Sequence, residues 1–369
     1  MTDLVTLEGL LVEKLSKEGP ITFAEFMQAA LYDQAFGYYR THTPGIDSDY
    51  RTSPTLSPVF GQMMAVQLEQ LWKRSGTAAK FTIAEAGGGN GALARTTLES
   101  VRRHPDKAEF ADALEWRFIE PLESIANIQR QALSGLPGVE WSPTLDDMAS
   151  FDGVILANEV LDNMPFHLVE ITETGVVEIR IGARQGRLVE EHAAIQDAKL
   201  LERAAEARPH LEPGDRFEVG FEADEWVRRA TTLLTRGCLF LIDYGDPEPD
   251  IWTRHPAGTV ATYRRGQLGL NPLEGPGAFD ITGHVNFSSL KRVVVEAGMS
   301  VEALVTQRQW LTTMGVGEAM KEQRDLQFKA TERRDSGETL RLISERSRTQ
   351  ALIATGGLGS LKVFAASRA

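Results

Sequence analysis

Cysteine is almost missing: Cys238 is the single one in 369 residues, which excludes an internal disulfide and any zinc-finger spacing. No run approaches the roughly 18 consecutive apolar residues of a transmembrane helix, so no membrane partner is expected. Positive charge is in deficit, with 39 Lys+Arg against 52 Asp+Glu and a formal net charge of −13. That balance disfavours broad binding to nucleic acid or anionic membranes, both of which need clustered Lys/Arg. The 7 histidines are too scattered to propose a metal site. The opening stretch MTDLVTLEGLLVEKL mixes acids with apolar residues and lacks a basic start, so it does not read as a secretory signal and a cytoplasmic location is expected. Internal repeats and low-complexity tracts are absent as well.

What remains is ordinary globular composition, 42% hydrophobic and 25% charged, at a length suited to one large domain or two. Leu4, Leu7, Leu11 and Leu15 follow helical spacing, and Thr22 is placed to cap a helix over 23–32 with Glu25 at its third position. A turn-rich stretch over 37–58 is long for a structureless loop, which points to a functional one. Helix is expected over 59–72. Strands at 81–84, 116–119, 139–141 and 153–157 then alternate with helices at 92–103 and 124–133, the pattern of a parallel sheet covered on both faces. Beyond Pro165 the residues 167–189 alternate in polarity, with Gly175, Gly182 and Gly186 as turns, and predict an antiparallel excursion. A helix over 222–234 ending at Gly237, a strand over 238–242, a Gly/Pro-rich insertion over 251–279, a helix over 288–297 and strands at 301–305 and 361–364 complete the reading. The expected segments are 1–60, a helical and loop cap; 61–165, the cofactor-binding half; 166–215, the antiparallel insertion; 216–250, continuing sheet; 251–287, a substrate-side insertion; and 288–369, the remainder of the sheet with helices. Residues 308–349, helical and charged, offer a face for a homodimer or for packing within the chain.

The sequence from Glu85 to Gly91, EAGGGNG, lies between the first strand and its helix. Glycines there let the backbone approach a ligand and turn into a helix whose N–H groups face it. Gly87, Gly89 and Ala92 fit the dinucleotide fingerprint, G-x-G-x-x-G/A. Glu85 and Gly91 favour a different ligand: a carboxylate at the strand end repels a pyrophosphate and attracts an ammonium. S-adenosylmethionine, with an amino-acid head and a nucleoside tail, is the cofactor that suits it. Glu120, ending the second strand, can accept from both ribose hydroxyls. Asp146 and Asp147, after the third, are candidates to reach an adenine amino group.

The fourth strand ends in Asn158, Glu159 and Asp162, polar groups at the carboxyl edge where such sheets bind ligands. Asn158 and Asp162 could equally cap a helix. Asp243, closing the fifth strand, belongs to the same edge, or to a turn.

These residues resemble the MidA-like methyltransferases, a family that includes an arginine-methylating mitochondrial assembly factor. The resemblance rests on Phe36-Gly37-Tyr38-Tyr39, Thr52-Ser53-Pro54 with Phe60-Gly61, Glu85 to Gly91, and Asn158-Glu159 with Asp162 and Pro165. It continues through Asp243-Tyr244-Gly245 and the stretch from Asp280 to Phe287, DITGHVNF. It implies an α/β class I methyltransferase fold, a Rossmann-like, mostly parallel sheet with helices on both faces, plus an N-terminal helical cap and inserted substrate-binding elements. S-adenosylmethionine is then the donor and a protein arginine the acceptor. The chain departs from the pattern at Thr55, Ala261, Gly266 and Asn286, where an acid, an arginine, a histidine and an aspartate are expected. Those changes keep two alternatives open: a small-molecule O- or N-methyltransferase, and a non-catalytic assembly protein that retains the fold.

Methyl transfer is an in-line displacement in which positioning supplies much of the rate. A guanidinium acceptor must lose a proton, and Glu159 and Asp162 are the candidates to clamp it and receive that proton. A carboxylate acceptor would need donors instead, for which Tyr38, Tyr39, Tyr263, Arg264 and His284 are available. His284 is also a candidate base for a hydroxyl acceptor. Thr52 and Ser53 complete the expected acceptor side.

Overall fold

The structure is a computed structural model and describes residues 6–42, 52–264, 267–269 and 271–368. Leu4, Gly266 and residues 43–51 of the turn-rich stretch lie outside the described residues. The chain divides into two compact units, one of residues 51–159, 228–243 and 294–369, the other of residues 1–50, 160–227 and 244–293.

The first unit is built on a seven-stranded sheet. Its strands are β1 (Phe81–Ala86), β2 (Leu114–Ile119), β3 (Val139–Ser142), β4 (Phe151–Asn158), β5 (Leu234–Asp243), β6 (Ser300–Thr306) and β7 (Lys362–Arg368). They lie in the order β6-β7-β5-β4-β1-β2-β3. β1 to β5 are mutually parallel, and β7 is inserted antiparallel between β5 and β6. This is the expected mostly parallel α/β sheet. Its order reverses between β1 and β4, and it is outside the carboxyl ends of the strands at such a switch point that open α/β sheets bind ligands. Continuous apolar runs make such strands: every residue of β1 is buried, and Trp116, Phe118, Val154, Ile155, Leu156 and Leu239 are fully enclosed.

Helix α1 (Pro58–Arg74) starts on Ser57, whose hydroxyl accepts from the Val59 N–H. It lies close against α2 (Ala92–Arg102), because a Cβ on Gly61 would stand 1.9 Å from Thr96 Oγ1. Gly237 does not end a helix, as expected from the sequence. It sits inside β5 at φ 139, where a Cβ would meet the Gly153 carbonyl oxygen of β4 at 1.9 Å. The glycine serves a close strand approach that local sequence cannot report.

The second unit holds a five-stranded sheet in which Ile21–Thr22, Gly175–Arg184, His167–Thr172 and Arg216–Val219 follow one another and Arg187–Ala194 pairs with Gly175–Arg184. All these pairings are antiparallel. Gly182 is a correction: it lies within the strand Gly175–Arg184, opposite Val189, and the turns fall at its two ends. Helices Leu7–Glu18 and Phe23–Tyr32 pack their apolar faces with Ile179 and Ile181 of this sheet. Thr22 and Glu25 form the capping box expected from the sequence. Ala261–Arg264 pairs with Asp280–Thr282, and Gly245–Asp246 with Val285–Asn286.

Candidate functional site

The carboxyl ends of β1, β2, β4 and β5 gather the acids singled out in the first unit. β1 delivers Glu85, 3% exposed, whose Oε2 accepts a hydrogen bond from Trp116 Nε1 at 2.9 Å. Burial pushes its carboxyl up to about 8, against the lowering effect of that one bond. The chain then leaves β1 through Gly87, Gly89 and Gly91 at φ 61, 50 and 77, conformations that side-chain-bearing residues rarely adopt. Gly88 is constrained by contact instead. A Cβ there would stand 2.4 Å from the Phe118 ring and 3.1 Å from the Glu85 carboxyl carbon. The turn closes with the Gly91 N–H on the Gly88 carbonyl and the Ala92 N–H on Asn90 Oδ1, and α2 begins.

β2 delivers Glu120, held by its own N–H to the Ser142 carbonyl. One of its carboxylate oxygens accepts from the Leu122 N–H at 3.0 Å and the other from Gln129 Nε2 at 3.4 Å. Desolvation raises Glu120 to about 7. Gln129 lies on helix α3 (Glu123–Ala132) and is wholly buried. Its position in mid-helix gives no sequence signal, and only the tertiary structure brings it to Glu120. Asp147 accepts from the Thr144 N–H and hydroxyl, closing a capping box, and Asp146 is ion-paired with Arg229.

At the end of β4, Asn158 Nδ2 donates to Glu159 Oε1 at 3.0 Å. Asn158 Oδ1 is buried and accepts no hydrogen bond among the described residues. Glu159 has φ 54, a left-handed conformation costly for a residue with a side chain, and its N–H is fixed on the Ile242 carbonyl of β5. Its carboxylate also accepts from the Ser53 N–H, while desolvation, with Asp243 next to it, pushes it up to about 8. Asp243 itself is buried at the end of β5. Ser53 opens the short helix Ser53–Leu56, with Thr52 as its N-cap. The Ser53 hydroxyl donates to buried Gln307 Oε1 at 2.9 Å, a tether no sequence spacing announces. Thr55, the first departure, turns its hydroxyl back onto the Thr52 carbonyl.

The second unit holds the other candidates. Tyr39 donates its hydroxyl to Asp280 Oδ1 at 2.9 Å, and Asn163 Nδ2 donates to the same oxygen. Tyr38 is buried and stacks on His42. Asp162 is buried, its carbonyl accepting from the Gly283 N–H. The His284 N–H donates to Thr259 Oγ1, and its ring meets His255 edge-on at 4.7 Å. Tyr263 pairs in register with Asp280, and Arg264 lies over the Phe279 ring. Ala261 pairs with Thr282. Asn286 caps a helix by accepting from the Ser288 and Ser289 N–H groups, and its amide donates to Glu248. An aspartate could make the cap but not the donation. Among the described residues, no group of three or more His, Cys, Asp or Glu could hold a metal ion.

Two buried acids at adjacent strand ends, a strained glycine turn and an orphaned amide oxygen suit a ligand with a cationic head and a vicinal diol. They suit a diphosphate poorly. The family model of S-adenosyl-L-methionine-dependent methyltransferases matches residues 63–305. The chain belongs to this family.

This methyltransferase is 26% identical over 345 residues to the protein arginine methyltransferase NDUFAF7, mitochondrial, of Danio rerio, covering 84% of this chain and 77% of that protein. It is 27% identical over 343 residues to the Homo sapiens protein of the same name, covering 84% and 74%. Among solved structures, it is similar to a superfamily member from Burkholderia thailandensis bound to S-adenosyl-homocysteine. The TM-score is 0.84 at 27% identity, over 98% of this chain and 92% of that one. The cofactor of this methyltransferase is S-adenosylmethionine.

Proposed function

We propose that the methyl acceptor is the guanidinium of a protein arginine. The observation that carries this reading is Glu159: a strained acid, oriented by the Ser53 N–H and the Asn158 amide, with the Asp243 carboxylate beside it. A bound cation favours the ionised form of these neighbouring acids, whereas a carboxylate acceptor would add another like charge to them. The names of the curated relatives, protein arginine methyltransferases, support the same class.

When bound, S-adenosylmethionine supplies an electrophilic methyl group on a sulfonium. In this reading Glu85 holds the cofactor's ammonium and Glu120 its ribose hydroxyls, while the glycine turn lets the backbone approach. Glu159 holds the guanidinium and takes its proton as the nitrogen–carbon bond forms and the carbon–sulfur bond breaks. Asn158 and Ser53 keep the carboxylate in one rotamer, so the acceptor meets a preformed partner. The small-molecule reading is favoured by Ala261, which puts a methyl group where the family pattern has an arginine.

Glu159→Gln keeps the shape and removes the base. The expected result is a loss of about 10²–10⁴-fold in methylation of arginine-containing protein, with S-adenosylhomocysteine affinity unchanged. Full activity in that variant would refute the assignment. Full activity on a small-molecule acceptor alone would replace arginine with the second reading.

A further inference from the structure

Gln129 is a fully buried amide whose polar atoms are all engaged. Its Nε2 donates to the Gly89 carbonyl at 3.0 Å and to Glu120 Oε2 at 3.4 Å, and its Oε1 accepts from Trp141 Nε1 at 2.9 Å. An amide nitrogen has two hydrogens, so the first two bonds can coexist, and the third fixes which end of the amide faces them. Trp141 is itself held by its stack on Phe118, with ring centroids 5.6 Å apart. The same Phe118 ring lies where a Gly88 Cβ would go. One side chain therefore spans the glycine turn after β1 and the acid after β2, two segments joined by no other hydrogen bond among the described residues.

A polar side chain placed only to fill the core would be better replaced by an apolar one, since burying an amide has no net return unless every bond is made. Here both N–H groups and the oxygen are engaged, and two of the three bonds reach the segments assigned to the cofactor. We infer that Gln129 is a positioning residue that locks the glycine turn and the ribose-binding acid in one relative geometry, so that the two halves of the cofactor are bound cooperatively. The inference rests on the assignment of Glu120 to the ribose.

The test is calorimetric titration of the full chain with S-adenosylhomocysteine in four forms: wild type, Glu120→Gln, Gln129→Met and the double variant. Gln129→Met keeps the volume and removes three bonds. Losing the bonds to the Gly89 carbonyl and to the Glu120 carboxyl group corresponds to about a five- to tenfold weaker Kd. Glu120→Gln should weaken binding by at least that much. The double variant should lose clearly less than the product of the two single losses, because Gln129 acts in part through Glu120. Glu120→Gln binding as wild type does would overturn the ribose assignment and the inference with it. A weakened Glu120→Gln beside an unaffected Gln129→Met, or losses that multiply, would overturn the inference alone. Should Gln129→Met fail to fold, Trp141→Phe carries the same test. It keeps the stack, frees the amide to rotate, and should weaken binding about two- to threefold, again less than multiplicatively with Glu120→Gln. Wild-type affinity in Trp141→Phe would then overturn the proposal.

Discussion

Glu85 is poorly placed for the unliganded protein and well placed for a cation. Its carboxyl is 3% exposed, has one hydrogen bond from Trp116, and is raised from 4.5 to about 8. Between about 4.5 and 8 the folded chain therefore holds this proton while the unfolded chain releases it. The group's contribution to stability is complete at acid pH and is lost as pH rises through the folded value. Glu85→Gln, which keeps the Trp116 bond, should stabilise the ligand-free protein at pH 8 by on the order of 2–4 kcal/mol and have little effect at pH 5. Denaturant midpoints at the two pH values would check this. The same variant should weaken S-adenosylhomocysteine about tenfold or more and leave 5′-methylthioadenosine, which lacks the amino-acid head, unaffected. Equal losses for both ligands would place Glu85 elsewhere in the site. Glu159 is also raised to about 8, and if it is the base proposed above, kcat/KM for methyl transfer should rise with pH and inflect near that value, because only the ionised form accepts a proton. Glu159→Gln should abolish that limb.

At the scale of elements, the turn from β1 to α2 shows which features a sequence carries openly. Gly87, Gly89 and Gly91 were readable because strand, glycines and helix are contiguous, and all three occupy left-handed conformations. Gly88 gave no such signal, since its constraint comes from Phe118 on a neighbouring strand. Gly88→Ala should cost about 1–3 kcal/mol by overpacking, seen as a lower denaturant midpoint, and should also weaken S-adenosylhomocysteine. An unchanged midpoint would mean that the turn yields freely. The capping box at Thr22 was likewise legible, being complete within four residues. Thr22→Ala should cost about 1 kcal/mol. Gln129, Gln307 and the in-strand role of Gly237 were not legible. Each depends on a partner distant in sequence, and a Gln in a helix or a Gly in a strand has no local pattern that distinguishes a tether from a surface residue.

For the molecule as a whole, the mostly parallel character of the seven-stranded sheet was legible in the alternating apolar runs and helices, whereas its strand order and the antiparallel insertion of β7 between β5 and β6 rest on pairings between segments distant in sequence. The net charge of −13 did not identify a site, but it agrees with a cationic acceptor. Association with an arginine-rich protein should be steered by the field and therefore weaken with salt. kcat/KM should fall several-fold between low and physiological ionic strength, mostly through KM, while S-adenosylhomocysteine affinity changes little. A salt-independent kcat/KM would argue for a neutral acceptor. The most direct test follows the methyl group itself. Extract proteins are incubated with the enzyme and S-adenosylmethionine labelled in the methyl group, then hydrolysed in acid and their amino acids separated. Label recovered in methylated arginine, and absent when Glu159→Gln replaces the wild type, is the predicted result. Label confined to the small-molecule fraction, or released from protein as methanol by mild base, would contradict it.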